Sequence, residues 1–419
     1  MENNVEVMNN YSELKPHNKF NICFVNKFNW LAAAPMGTVS VMMSYALANN
    51  GNDVTLYIGG EHDPDPQKTL RSKYGLEPIE NLHLQVIPRS KYGTNSKFAM
   101  NLYFKAFQHI IANHKKGKQL IIISRNTNFL PLMWLLKKIT GAQTFFESHS
   151  FHNRAHGGRK WMGIVPRVND IQPWFYEYFI LPRLTGILCI TKRQMRLYKS
   201  VMPSVSSVFL PLGSPNTEKT DLATVRARDP RKFVYCGRLT GHLDIATFFE
   251  ALSVCKKNGV TLTWYGLSDK DKITLSSFAL KHNVNDSVFL EGRIPYQELR
   301  KKMVADFGIG LANYNNDYIS AVLTCPTKIV DYYTAGLPVI ATKISTVTDI
   351  LTNEQEGLVY RYGDTQSLVK CIERMISDKD LYLKMHENCL KSAEYFSWQN
   401  RAARLVSFAA ECADKKTGK

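Results

Sequence analysis

The chain has 419 residues, enough for two or three domains and for a core that needs no covalent staples, so its size excludes a disulfide-held miniprotein. At 44% hydrophobic, 11% aromatic and 21% charged it also lacks the composition of a disordered chain. A formal charge of +17 calls for an anionic partner, either a nucleotide or phosphate, a nucleic acid, or an acidic membrane face.

The charge is unevenly placed. Residues 1–212 hold 25 basic and 12 acidic side chains, a net of +13, while residues 213–419 hold 28 and 24, a net of +4. The first twenty residues contain neither the apolar core of a signal peptide nor a run long enough to span a membrane, so a cytoplasmic chain with at most peripheral membrane contact is expected. Eight cysteines from Cys23 to Cys412 show no C-x-x-C and no metal-ligand spacing, which fits reduced thiols.

Short apolar runs alternate with longer stretches of helical periodicity, the pattern of parallel strands covered on both faces. The first half offers strands at Asn21–Val25, Val54–Ile58, Leu82–Ile87, Leu120–Ser124, Thr144–Glu147, Gly186–Ile190 and Val208–Leu210. The second offers Phe233–Cys236, Leu262–Tyr265, Val288–Leu290, Phe307–Leu311, Val339–Ala341 and Leu358–Tyr360. Two doubly wound α/β domains follow, joined through the polar, turn-rich Pro211–Asp229. The expected division is an extension over 1–19, a first domain over 20–212, a linker over 213–230, a second domain over 231–395 and a closing helix and tail over 396–419. Ligands of such sheets bind beyond the carboxyl ends of the strands, which makes a cleft between the domains the expected site.

Along the chain, Met36-Gly37-Thr38 lies between the first strand and a helix expected over Val39–Asn49. Asp63-Pro64-Asp65 is formally a D-x-D metal motif, but it sits in a proline-flanked loop where chance explains it. Arg125 ends the fourth strand, as a cleft residue or as half of a surface salt bridge. Phe145–His149 (FFESH) brings His149 to a strand tip, where a lone histidine is as readily a capped or solvated residue. In His152–Arg167, Arg159 and Lys160 border Trp161, a mixture suited to an anionic membrane surface or to a solvated basic loop. No RNA- or DNA-binding signature accompanies it, and no nucleic-acid partner is expected. Thr324–Thr342 (TCPTKIVDYYTAGLPVIAT) holds a short helix bracketed by Pro326 and Gly336. Its first turn carries Lys328, beside the free N–H groups that stabilise phosphate, and Asp331 lies three residues on, on the same face. From spacing alone these two form either a nucleotide site or an exposed ion pair.

This stretch resembles the signature of retaining GT-B glycosyltransferases of the group 1 type (family 4), P-x-K-x-x-E-Y-x-A-x-G-x-P-V-I-A-T. Pro326, Lys328, Tyr332, Ala335, Gly336, Pro338, Val339, Ile340, Ala341 and Thr342 match it, and Asp331 stands in the glutamate position. Phe233–Leu239, Val288–Leu299, Cys189–Lys199, Phe209–Gly213 and Ser397-Trp398 resemble further family segments in the family's order, from about Phe20 to Trp398. The resemblance implies a GT-B architecture of two Rossmann-like domains facing across a cleft, and a nucleotide diphosphate sugar as donor. It assigns Arg238 and Lys328 to the diphosphate, Asp331 to the ribose, and Gly266, Arg293, Ile294, Thr324 and Thr327 to the rest of the donor nucleotide. His149 and Arg125 with the Gly37 and Thr38 loop would meet the donor sugar and the acceptor. No metal ion or other cofactor is implied.

Two positions depart from the family. Leu243 replaces a lysine that helps hold the diphosphate, and Leu323 replaces a glutamate that touches the donor sugar. The expected function is transfer of a sugar to a lipid-linked saccharide acceptor in surface polysaccharide assembly, on the inner face of the membrane. The alternative is a catalytically silent homologue acting as a scaffold.

Overall fold

The computed structural model describes residues 19–32, 35–60, 63–88, 95–114, 119–151, 172, 174–214, 222–316 and 323–417. The chain forms two compact units, one comprising the residues up to Leu212 together with Trp398–Lys419, the other Gly213–Ser397.

In the first unit β1 (Asn21–Asn29), β2 (Asp53–Gly60), β3 (Leu82–Pro88), β4 (Leu120–Ser124), β5 (Gln143–Ser148), β6 (Gly186–Cys189) and β7 (Ser206–Phe209) form a parallel sheet in the order β3-β2-β1-β4-β5-β6-β7. Its helices are α1 (Pro35–Asn49), α2 (Pro66–Tyr74), α3 (Asn95–Asn113), α4 (Leu130–Thr140) and α5 (Lys192–Val201), with a π-helical turn at Tyr176–Ile180. Central β4, LIIIS, is buried at every residue, as a strand covered on both faces must be. One face is sealed by α3, α4 and the π-helical turn, through Leu102, Tyr103, Phe129, Met133 and Leu136 against Ile122 and Phe146.

The strand order reverses between β1 and β4, the point at which such sheets bind ligands. Their register pairs Val25 with Ser124, which puts Asn26, still paired with Ile58 of β2, beside Arg125, the first residue past β4. The D-x-D segment caps a helix: Asp65 accepts the Lys68 N–H at the start of α2, and Asp63 accepts the Asp65 N–H.

The second unit is a parallel sheet of β8 (Lys232–Cys236), β9 (Thr261–Tyr265), β10 (Val288–Leu290), β11 (Ile309–Ala312), β12 (Val339–Thr342) and β13 (Gly357–Tyr360) in the order β10-β9-β8-β11-β12-β13. Here the order reverses between β8 and β11. Around the sheet lie α6 (Leu222–Arg226), α7 (Ile245–Cys255), α8 (Asp269–Lys281), α9 (Tyr296–Asp306), α10 (Thr327–Thr334), α11 (Ser345–Thr348), α12 (Thr365–Ser377) and α13 (Lys379–Tyr395). The expected short helix is α10, and Gly336 ends it at φ +64. Strand positions agree with the periodicity, with ends shifted by one or two residues as at β7 and β11, except that β1 runs four residues further, to Asn29.

The stretch read as a linker has structure. It contains α6 and Arg228, whose buried guanidinium donates to the carbonyls of Val304 (2.9 Å), Ala335 (2.8 Å) and Gly336 (3.3 Å). His386 Nδ1 bonds Gly336 O as well, and burial pushes its imidazole down to about 4. A cation and a neutral ring thus complete the negative end of α10. Arg228→Met is expected to lower stability by about 1–3 kcal/mol, since it strands buried carbonyls, and urea unfolding measures it.

The closing helix α14 (Trp398–Thr417) belongs to the first unit, where it packs on α1 with Ala402, Leu405, Val406 and Ala409 buried. Phe408 meets Phe145, whose side chain lies on the sheet face opposite Phe146, so α14 covers the second face.

Candidate functional site

The second unit gathers its residues beyond the ends of β8, β9 and β11. The loops after β8, β9 and β10 are bound edge to edge, with Gly237 N donating to Tyr265 O (2.9 Å) and Gly266 N to Gly292 O (3.0 Å). Gly266, at φ +97, lies so close to Gly237 that a Cβ would stand 3.3 Å from its backbone. At Gly237, φ +141, a Cβ would come within 2.8 Å of Lys328 Cε. Glycine at 237 therefore makes room for the lysine.

Lys328, in the first turn of α10, holds its Nζ over the rings of Tyr235 (5.1 Å) and Tyr314 (5.9 Å). Among the described residues its ammonium group makes no hydrogen bond and no ion pair. The first turn of α10 has no side-chain cap and no acidic residue; Thr327 N donates to Cys325 O (3.0 Å) and Ile329 N to Pro326 O (3.0 Å), so among the described residues the Lys328 N–H and the positive end of the helix are what it offers an anion. Thr327 and Lys328 are partly buried there, and Thr324 is exposed. Arg238 and Arg293 are exposed and make no hydrogen bond or ion pair among the described residues, and Ile294 is partly buried.

Asp331 is half-buried. Its Oδ1 accepts hydrogen bonds from Ser214 Oγ (2.8 Å) and Tyr296 Oη (3.1 Å), while Oδ2 has no protein donor among the described residues. Burial pushes this carboxyl up to about 6, against the pull of the two hydroxyls and of Lys328. The side chain is thus oriented through one oxygen and offers the other.

The two departures have different structural settings. Leu243 is buried and bridges to Tyr314, so that position belongs to the packing beneath the site. Leu323 is partly buried just before α10. Beside them His242 stacks on Tyr314 at 6.4 Å, and burial and the Lys328 charge lower its imidazole. Sequence reading missed Ser214, Tyr235, His242, Tyr296 and Tyr314, which converge from four separate stretches with no spacing in common.

In the first unit the strand-end loops are built by polar side chains. Asn26 bonds Ser40 on α1 and accepts the Phe28 N–H (3.2 Å); Asn126 Oδ1 accepts the Lys27 N–H (2.9 Å). Gly37 is buried, where a Cβ would meet Asn29 O at 3.1 Å, and Thr38 is exposed. Arg125 is no surface salt bridge. Its guanidinium lies 5.6 Å from the Phe28 ring, its Nη1 is buried without a hydrogen-bond partner, and burial lowers its pKa, with Glu147 acting in the opposite direction.

His149 has an exacting partner. Its Nε2 bonds Glu147 Oε1 at 2.6 Å, and Glu147 Oε2 accepts Arg401 Nη2 at 2.8 Å. Glu147 is fully buried, and Arg401, from α14, is 2% exposed. Burial alone would raise the Glu147 carboxyl, but Arg401 and His149 hold it well below the usual carboxylate range. Burial drives the imidazole down to about 4, helped by the charge of Arg125. The pair is therefore carboxylate and neutral imidazole, with the proton on Nε2 and Nδ1 left as an acceptor. Glu147, two residues before His149 on the same strand face, was legible by alternation; Arg401 was not.

The predicted membrane contacts Arg159, Lys160 and Trp161 lie outside the described residues. Among the described residues no three or more of His, Cys, Asp and Glu group as metal ligands, and no helix is long and apolar enough to cross a membrane.

Residues 217–392 match the family model described as glycosyl transferases group 1. Sucrose-phosphate synthase from Thermosynechococcus elongatus superposes with a TM-score of 0.66 at 14% identity, covering 94% of this chain and 99% of that one. The fold is GT-B. HepE of Anabaena, in a structure with UDP and glucose, shares it with a TM-score of 0.64 at 14% identity over 94% of this chain and 100% of that one. Sucrose-phosphate synthase of Spinacia oleracea is 23% identical over 207 residues, 47% of this chain and 19% of the relative, so the GT-B chain spans about a fifth of that relative's length. Within the GT-B fold, the matched region holds Arg238, Gly266, Lys328 and Asp331.

Proposed function

We propose that the protein is a glycosyltransferase that moves a sugar from a nucleotide diphosphate sugar, UDP- or GDP-linked, to an acceptor held by its first unit, with retention of configuration. The observation that carries this reading is the pairing, on one face of α10, of an ammonium group and a carboxylate oxygen, Asp331 Oδ2, neither of which has an ion-pair or hydrogen-bond partner among the described residues. A diphosphate suits the Lys328 ammonium and N–H, Arg238 and the positive end of α10; two vicinal ribose hydroxyls suit Asp331 Oδ2. As the sugar leaves, negative charge grows on the diphosphate, and fixed cations and oriented N–H groups stabilise it without a metal ion. His149 Nδ1 accepts a hydrogen bond from a sugar hydroxyl, and Arg125 serves the same end of the reaction. HepE, bound to UDP and glucose, supports the donor class.

The acceptor in this reading is a lipid-linked saccharide, and the enzyme works at the inner face of the membrane in surface polysaccharide assembly. The charge of the first half supports that setting. A second reading, a silent scaffold, rests on Leu243 and Leu323. Donor turnover separates the two: release of a nucleoside diphosphate from a sugar-nucleotide panel supports transfer, and its absence with every donor supports the scaffold.

The carboxyl of Asp331 gives the donor site a pH dependence. Below about pH 6 it takes up a proton and loses its acceptor charge, so affinity for a nucleotide sugar is expected to fall several-fold from pH 7 to pH 5. Asp331→Asn should bind weakly with a flat profile over that range, measured by calorimetry. An equal slope in both proteins would assign the titration elsewhere.

A further inference from the structure

All exposed large apolar side chains described in the first unit lie on three elements: Met100, Phe104 and Ile111 on α3, Leu135 and Ile139 on α4, and Phe175, Tyr178 and Phe179 at the π-helical turn. These elements are neighbours, α3 against α4 and α4 against the turn, and all cover the same face of the sheet. Their inner sides supply the core; their outer sides leave an apolar layer where a polar one is expected. Trp174 stacks on Tyr178 and meets Phe179 edge-on, and Phe179 in turn meets Phe175 at 4.6 Å.

The charge on these elements has one sign. Residues 95–113, 130–140 and 174–183 contain Lys97, Lys105, Lys137, Lys138 and Arg183, and their sole acid, Glu177, is fully buried. Lys115, Lys116 and Lys118 follow α3 in the sequence. An exposed apolar face on elements whose exposed charges, Lys105, Lys138 and Arg183, are cationic, in a half-chain of net +13, is complementary to an anionic lipid surface: rings and aliphatic chains enter the headgroup layer while cationic groups meet lipid phosphates. A second copy of this chain would bring the same cations against themselves, and it offers no acidic counterpart on this face.

We infer that the outer face of α3, α4 and the Tyr176–Ile180 turn docks on an anionic bilayer. This deepens the reading of a lipid-linked acceptor by naming the surface, and it rests on that reading. The test is co-sedimentation of the full chain with phosphatidylglycerol-containing vesicles and with pure phosphatidylcholine vesicles. Expected are binding to the first that weakens with salt, much less binding to the second, and a loss of more than tenfold in Phe104→Ser/Ile139→Ser/Phe175→Ser, one exposed position from each element. Lys105→Gln/Lys138→Gln, which leaves the apolar layer intact, should lose several-fold on anionic vesicles alone. Unchanged binding in both variants, no binding of the parent protein, or a dimer that the triple variant splits would each overturn the inference. Nucleotide-induced stabilisation of the same samples is read in parallel. Its absence with vesicle binding intact would count against the transferase reading and leave the docking surface standing.

Discussion

Lys328→Ala is expected to lower turnover by more than tenfold, and by up to about a thousandfold if the ammonium group meets the diphosphate only as charge develops. Lys328 is held over Tyr235 and Tyr314 and passes Gly237, where a Cβ would stand 2.8 Å from its Cε and displace it, and among the described residues no carboxylate neutralises it. A cation kept free in this way is ready for an anion. Leu243 is buried and bridged to Tyr314, so with the family lysine absent there Lys328, exposed Arg238 and exposed Arg293 are the cations that the described residues offer at the second unit's site. Steady-state kinetics with the accepted donor decide the matter. A fall in kcat with KM little changed marks a contact made in the transition state, a rise in KM alone marks ordinary binding, and unchanged kinetics remove Lys328 from the mechanism.

Arg401→Met should cost about 3–5 kcal/mol of stability, because it leaves Glu147 as an unpaired carboxylate in a fully buried position. Arg401 also donates to Pro211 O (2.8 Å) and Leu210 O (3.3 Å), so its loss strands carbonyls as well. The pH dependence has a definite sign. In the parent protein the Glu147 carboxyl is depressed in the folded state, so its contribution is full above the unfolded value of about 4.3 and is lost as pH falls. His149, held near 4, acts in the same direction, since unfolding in acid lets it take up a proton from about pH 6.5 downward. Without Arg401, burial raises the Glu147 carboxyl, and protonating it relieves the unpaired charge. The gap between parent and Arg401→Met should therefore widen from pH 5 to pH 8 in urea unfolding. A gap independent of pH would show that the loss is one of packing around Trp398 and Met43 instead.

Much of this fold is legible because its strands are short, apolar and buried on both faces, as in β4, and because proline and glycine bracket α10. The shared face of Lys328 and Asp331 on α10 was readable, since helical spacing puts residues three apart on one face, but spacing alone left a nucleotide site and an exposed ion pair open, and the family resemblance chose between them. Less was readable where the chemistry comes from distant chain. Ser214 and Tyr296 orient Asp331 across separations of 117 and 35 residues, and Arg401 reaches Glu147 across 254. No periodicity encodes such meetings. The same holds for Arg228, which reads as part of a polar linker and yet is buried against the end of α10. Surface apolar residues on α3 and α4 were equally hidden, because in sequence they merge with the core stripe of the same helices.

The central claim is that the second unit binds a nucleoside diphosphate at the start of α10. Thermal unfolding of the purified protein in the presence of UDP, GDP, ADP and their monophosphates tests it directly, since a ligand at about 100 times its dissociation constant adds about 2.7 kcal/mol to the folded state. One diphosphate is predicted to raise the melting temperature by several degrees, its monophosphate to do so less, and Lys328→Ala to abolish the rise. No stabilisation by any nucleotide, or stabilisation that survives Lys328→Ala undiminished, would contradict the account.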